Sequence, residues 1–144
     1  MKPSRILIEH IKQSEGLQLK AYKPVPTEKY YTIGYGHHTA AIKPNQRITP
    51  QQAQQLLIKD LTTVSNYINT IKEVRTQGQH DALCSFIYNI GINKFQTSTL
   101  YKLIKAKASS KLIQNEFNKW IYAGGKPLKG LITRRKWEAI RYIE

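Results

Sequence analysis

Glu15 to His38 reads EGLQLKAYKPVPTEKYYTIGYGHH. Leu17 to Tyr22 and Tyr31 to Tyr35 alternate in polarity with a period of two, the period of a strand with one buried face. Pro24, Pro26 and lysines separate the two runs, so the stretch predicts a hairpin. Glu15, Glu28, Thr32, the glycines at 34 and 36, and His37 and His38 all fall within its length.

Upstream the period is helical. Ser4 is placed to cap a helix whose Ile6, Leu7, Ile8 and Ile11 share one side, ending near Ser14 to Gly16. The change of period sets Glu15 at a helix end facing the hairpin, whose second strand brings Thr32 back past it. Desolvation in a helix-to-sheet cleft favours the protonated form of a carboxyl group and suits it to give a proton to a leaving oxygen. On pattern alone, an ordinary helix-end glutamate is the competing reading.

Downstream, a third extended piece is expected around Ile42 to Ile48. Thr49-Pro50-Gln51-Gln52 then combines a capping Thr, Pro at the first helical position and Gln at the third. Ala53, Leu56, Leu57, Leu61, Val64, Tyr67, Ile68 and Ile71 carry an apolar stripe at helical spacing, so one long helix should run over about 49–71. Further helices are expected near 78–91, 97–106, 109–121 and 133–142, with Gly124-Gly125 in a loop. The pattern is α+β: a small N-terminal sheet lobe over about 1–48, joined by the long helix to a mainly helical lobe over about 72–144, in a single domain.

A chain of 144 residues can bury about 70% of its unfolded surface, and its 40% apolar content is that of a folded protein. The start, MKPSRILIEHIKQSEG, has no signal-type apolar run, and no later run reaches a membrane span, so a soluble protein made in the cytoplasm is expected. Cys84 is alone, which excludes an internal disulfide or a cysteine metal cluster, and its neighbours DALCSFIYNI are those of a buried residue. The charge is the bolder signal. Lys and Arg number 23 against 9 Asp and Glu, a net +14 that should draw the chain to polyanions.

Acid chemistry must choose among Glu9, Glu15, Glu28, Asp60, Glu73, Asp81, Glu116, Glu138 and Glu144. Most lie on what read as polar sides of predicted helices, where a solvated role is expected. His37 and His38 match no metal-ligand spacing, and His37 is expected to bond a nearby carboxylate.

Glu15-Gly16, the strand Leu17 to Tyr22, and Thr32-Ile33-Gly34-Tyr35-Gly36-His37 together resemble the first signature of the phage-type lysozymes, or endolysins, of the bacteriophage T4 lysozyme class. ITPQQAQQLLIKDL is similar to the start of that family's inter-lobe helix, QHDALCSFIYNIGINKFQTSTL to its core helix and turn, and EFNKWIYAGGKPLKGLITRRKWE to its C-terminal segment. The resemblance implies a lysozyme-like fold and cleavage of the β-1,4 bond between N-acetylmuramic acid and N-acetylglucosamine in peptidoglycan. It implies Glu15 as general acid, Thr32 as the hydroxyl that positions water, and Tyr35, Tyr88 and Asn89 near the sugar cleft. It further implies release through a holin-type pore, a monomer, and no cofactor.

The family's second carboxylate, an Asp directly after the position of Lys23, is missing. Pro24-Val25-Pro26 stands there with a net gain of two residues, and proline offers no side-chain proton acceptor. Glycoside hydrolysis commonly uses two carboxyl groups. Three readings follow: Glu28 takes the missing role, Glu15 works without a partner carboxylate as a hydrolase or lytic transglycosylase, or the fold binds peptidoglycan with little turnover. Nucleic-acid binding is the rival suggested by the charge, yet no zinc spacing, RNA-binding aromatic motif or basic recognition helix is present. Adhesion to anionic wall polymers explains the charge better.

Overall fold

The computed structural model describes residues 1–144. Helix α1 (Arg5–Glu15) begins where Ser4 Oγ accepts a hydrogen bond from the Leu7 amide at 3.1 Å, and it buries Leu7 and Ile11. Gly16 stops it at φ +70, a left-handed conformation that costs a glycine little, so Glu15 is the last helical residue.

Three antiparallel strands follow in the order β1 (Gln18–Tyr22), β2 (Thr32–Gly34), β3 (His37–His38). Thr32 stands opposite Tyr22 on one side and His38 on the other. The third strand is therefore His37–His38 and not the expected Ile42–Ile48. That later segment touches β1 through a single Lys20–Arg47 bridge, with Ala21 N donating to Gln46 O and Ile48 N to Leu19 O. Pro44, which has no N–H, and Asn45, at φ +64, break its ladder. Ala21, Ile33 and Ile42 form the small core of this lobe, against which Ile48 and Leu56 pack.

Helix α2 (Pro50–Ile68) starts with both bonds of the capping box, Gln52 N to Thr49 Oγ1 at 3.1 Å and Thr49 N to Gln52 Oε1 at 2.9 Å. It ends three residues before the expected Ile71, because the Thr70 hydroxyl turns back onto the Tyr67 carbonyl and the chain closes into tight turns. Ile71 and Val74 still reach the main core.

The helical lobe is built on α3 (Gln77–Ile90), whose residues 80–87 are all buried. Around it lie α4 (Ile92–Gln96), α5 (Thr99–Lys105), α6 (Ser110–Phe117) and α7 (Lys129–Tyr142). A two-stranded ribbon, β4 (Tyr122–Ala123) and β5 (Lys126–Pro127), frames Gly124-Gly125, where only a loop was expected. The main core holds 20 buried residues against three in the sheet lobe, so the sheet depends on α2 for its footing. Phe86 is at its centre, with Phe95, Phe117 and Trp120 edge-on to its ring. Cys84 is buried there, and burial pushes its thiol up. No helix is long and apolar enough to cross a membrane.

Three acids expected to be solvated are buried. Asp81 and Glu138 are fully enclosed and Glu116 nearly so. Each has a cation: Arg141 Nη2 is 2.8 Å from Asp81, Arg135 Nε 2.7 Å from Glu138, and Lys119 Nζ 2.5 Å from Glu116. A buried carboxylate survives only with such a partner.

Candidate active site

A cleft of about 640 Å³ runs between the lobes, lined among others by Gly36, His37, His38, Asp60, Tyr88 and Asn89. Glu15 stands at its edge, in contact with the lining residue Gly36 rather than in the lining itself. One carboxylate oxygen, Oε1, lies 2.6 Å from Arg134 Nη1 on α7, and the other, Oε2, packs against Gly36 so closely that a Cβ there would sit 2.6 Å away. The side chain is 20% exposed, open enough to meet a substrate and enclosed enough to be held.

Arg134 is itself fixed. Its Nη2 donates to the Ser85 carbonyl at 3.0 Å and its Nε to Ser85 Oγ at 3.3 Å, while the Ser85 hydroxyl donates to Glu138 Oε2 at 2.5 Å. Glu138 also pairs with Arg135, whose Nε lies 2.7 Å from Oε1 and whose Nη2 donates to Oε2 at 3.2 Å and to Asn89 Oδ1 at 3.0 Å. Two arginines and two glutamates thus form a charge-balanced group reaching from the helical core to the cleft. Burial pushes the Glu138 carboxyl up, against the pull of Arg135 and Arg134. His10 closes the back of the group, its Nε2 3.1 Å from Ser85 Oγ and its ring stacked on Trp137 at 3.6 Å. Burial, then Arg134 and Arg135, pushes His10 down to about 4.

On the sheet side, Thr32 is buried and its Oγ1 lies 3.1 Å from His38 Nδ1. Glu28 Oε2 is 3.9 Å from His38 Nε2, at ion-pair range, and the Tyr30 ring leans on the same imidazole. Pro24, Val25 and Pro26 are exposed in the turn. His37 Nδ1 is 2.6 Å from Asp60 Oδ2, the carboxylate-bonded role its setting predicted, and this pair ties the sheet to α2.

Of the residues expected near the sugars, Tyr88 and Asn89 line the cleft, while Tyr35 turns its ring away, against Lys12 and the start of α2. What Tyr35 presents is its carbonyl, which accepts from Tyr88 Oη at 2.5 Å. Burial, followed by the charges of Asp60 and Glu15, pushes the Tyr88 phenol up, so it serves as a hydrogen-bond donor. Sequence reading missed Arg134, Glu138, Ser85, His10 and His38. The usable signal was in ITRRKWEAI: Arg135 and Glu138 occupy helix positions in line with Ala139 and Tyr142, a charged pair on a face meant for the core.

A small antiparallel sheet and a helical lobe, joined by one helix across a cleft with a helix-end carboxylate at its edge, define a lysozyme-type architecture. The chain belongs to the phage lysozyme family, whose sequence profile matches residues 12–138. It is 45% identical over 139 residues to the endolysin of Bacillus phage PZA, covering 96% of this chain and 54% of that protein. It is 44% identical over 133 residues to the endolysin of Acyrthosiphon pisum secondary endosymbiont phage 1, covering 89% and 88%. The solved muramidase domain of SpmX from Asticaccaulis excentricus superposes with a TM-score of 0.86 at 31% identity, covering 99% of this chain and 98% of that one. The chain thus spans about half the length of the Bacillus phage endolysin it matches.

Proposed function

We propose that this chain is a peptidoglycan muramidase of the endolysin type, cutting the β-1,4 bond between N-acetylmuramic acid and N-acetylglucosamine. The observation that carries the reading is the Glu15 carboxylate at the cleft edge, with Arg134 on one oxygen and Gly36 cleared for the other. In its protonated form Glu15 gives a proton to the glycosidic oxygen, and Arg134, 2.6 Å away, receives the carboxylate left behind. Thr32 orients the attacking water. Tyr88 and Asn89 border the sugar path, and the sheet lobe and the helical lobe act as its two jaws, joined through α2; α1 goes with the helical one, because its Leu7 and Ile11 sit in the main core.

Residues 16–59, the sheet and the first half of α2, hold Lys20, Lys23, Lys29, Lys43, Arg47 and Lys59 against the single acid Glu28, which supports adhesion of this part of the chain to anionic wall polymers. A monomer made in the cytoplasm and released through a holin-type pore completes the reading.

The test is digestion of purified peptidoglycan by the wild type and Glu15→Gln, with mass spectrometry of the fragments. Reducing muropeptides from the wild type alone are expected. Fragments with 1,6-anhydro ends would make the reaction a transglycosylation, and undiminished lysis by Glu15→Gln would remove the central claim.

A further inference from the structure

The turn that would hold a second carboxylate carries Pro24-Val25-Pro26, yet the site is not without a proton acceptor. Thr32 and His38 are cross-strand partners on β2 and β3, and strand register places their side chains on one face. Thr32 Oγ1 is 3.1 Å from His38 Nδ1, and Glu28 Oε2 faces the other ring nitrogen at 3.9 Å. His38 borders the interlobe cleft and its side chain is 38% exposed. We infer that Glu28, His38 and Thr32 form a carboxylate–imidazole–hydroxyl relay that takes the proton of the attacking water.

This inference rests on the muramidase reading and supplies its missing base. Neutral His38 carries its proton on Nε2, toward Glu28, so Nδ1 accepts the Thr32 hydroxyl hydrogen. As the water oxygen bonds to the sugar's anomeric carbon, a water proton passes to Thr32 Oγ1 and the Thr32 proton passes to His38 Nδ1. The bond from that carbon to the leaving oxygen breaks, and Glu15 protonates that oxygen. The step ends with Glu15 ionised beside Arg134 and His38 cationic beside Glu28. Proton exchange with solvent resets both. His38 acts through Thr32 and is a positioning residue that also stores the proton. Glu28 enters as its counter-charge and never touches the sugar.

The same peptidoglycan digestion, run as steady-state kinetics, tests the relay with His38→Gln, His38→Ala, Glu28→Gln and the Glu28→Gln, His38→Gln double variant. Gln at 38 keeps a hydrogen-bonding group beside Thr32 but cannot take the proton. Expected is a fall in kcat of about 100-fold for His38→Gln with KM little changed, partial recovery of His38→Ala by added imidazole, and a fall of about tenfold for Glu28→Gln. Once His38 is gone, Glu28→Gln should cost nothing further. Thermal melts of all variants check that the exposed sheet edge stays folded. The relay is overturned by a His38→Gln kcat within about threefold of wild type, by no effect of imidazole, or by a Glu28→Gln loss that is the same with and without His38. A wild type that releases reducing fragments while His38→Gln is unimpaired overturns the relay alone. A wild type that cuts nothing overturns the muramidase reading and the relay together.

Discussion

Gly36 and Glu15 share one small volume: a methyl group added at 36 would stand 2.6 Å from Glu15 Oε2, while Gly36 also holds φ +80. The glycine therefore meets two demands at once, a left-handed turn between β2 and β3 and the absence of any atom where the carboxylate lies. Gly36→Ala should cost about 1–2 kcal/mol of stability and, by displacing the carboxyl group, about 100-fold in peptidoglycan cleavage. Thermal melts and muropeptide release on the same samples separate the two losses. A variant with full activity would show that Glu15 acts from another position.

Arg134 faces two glutamates from the core. Arg134→Ala should destabilise the fold by about 3–5 kcal/mol, because Glu138 and Glu15 lose a cation they share inside a buried group. Arg134→Lys should recover only part of this, since an ammonium cannot reach Ser85 and both carboxylates with a planar fork. Urea denaturation of the three proteins measures the difference.

Acid should weaken the fold in two windows. His10 is held near 4 in the folded chain against 6.5 in the unfolded one, so the unfolded chain binds a proton first and stability falls from about pH 6.5 down to about 4. Asp81 behaves otherwise. Burial alone would raise its carboxyl, but hydrogen bonds from His80, Ser4, Arg141 and Gln77 outweigh that and bring it to about 2 from 3.8. Its contribution, about 2 kcal/mol, is present above pH 4 and is lost as pH falls toward 2. Melting temperature against pH should lose its upper slope in His10→Gln and its lower slope in Asp81→Asn.

Tyr88→Phe removes only the bond to the Tyr35 carbonyl and should cost about 1 kcal/mol, with cleavage changed by less than about threefold. A fall in kcat well beyond that would give the Tyr88 hydroxyl a part in the reaction itself.

The helix starts were legible because their signals are local: Ser4 and Thr49 bond backbone three residues on, and both capped helices begin where their patterns indicate. β3 was not. His37–His38 has no apolar alternation and is a strand only because β2 lies beside it, whereas Ile42–Ile48 offers an isoleucine at each end but is interrupted at Pro44. Elements as short as α4 and the β4–β5 ribbon give too few residues for any period to show. At the site, Glu15 and Thr32 stood out from their places in one hairpin, while Arg134 belongs to Glu15 across 119 positions and is joined to it only by the fold. Tyr35 shows the same limit from the other side. Adjacency to the signature put it near the cleft, and its ring packs elsewhere.

That span of 119 residues between Glu15 and Arg134 bears on when during synthesis the pair can form. A ribosome delivers Glu15 early, but its cation is missing until synthesis has passed α7 and that helix has docked against α3. Interrupted translation or proteolytic clipping ahead of Arg134 yields a fragment that holds the acid and lacks its partner. Assembly of the pair is thereby tied to synthesis past α7, a dependence written into the order of the residues.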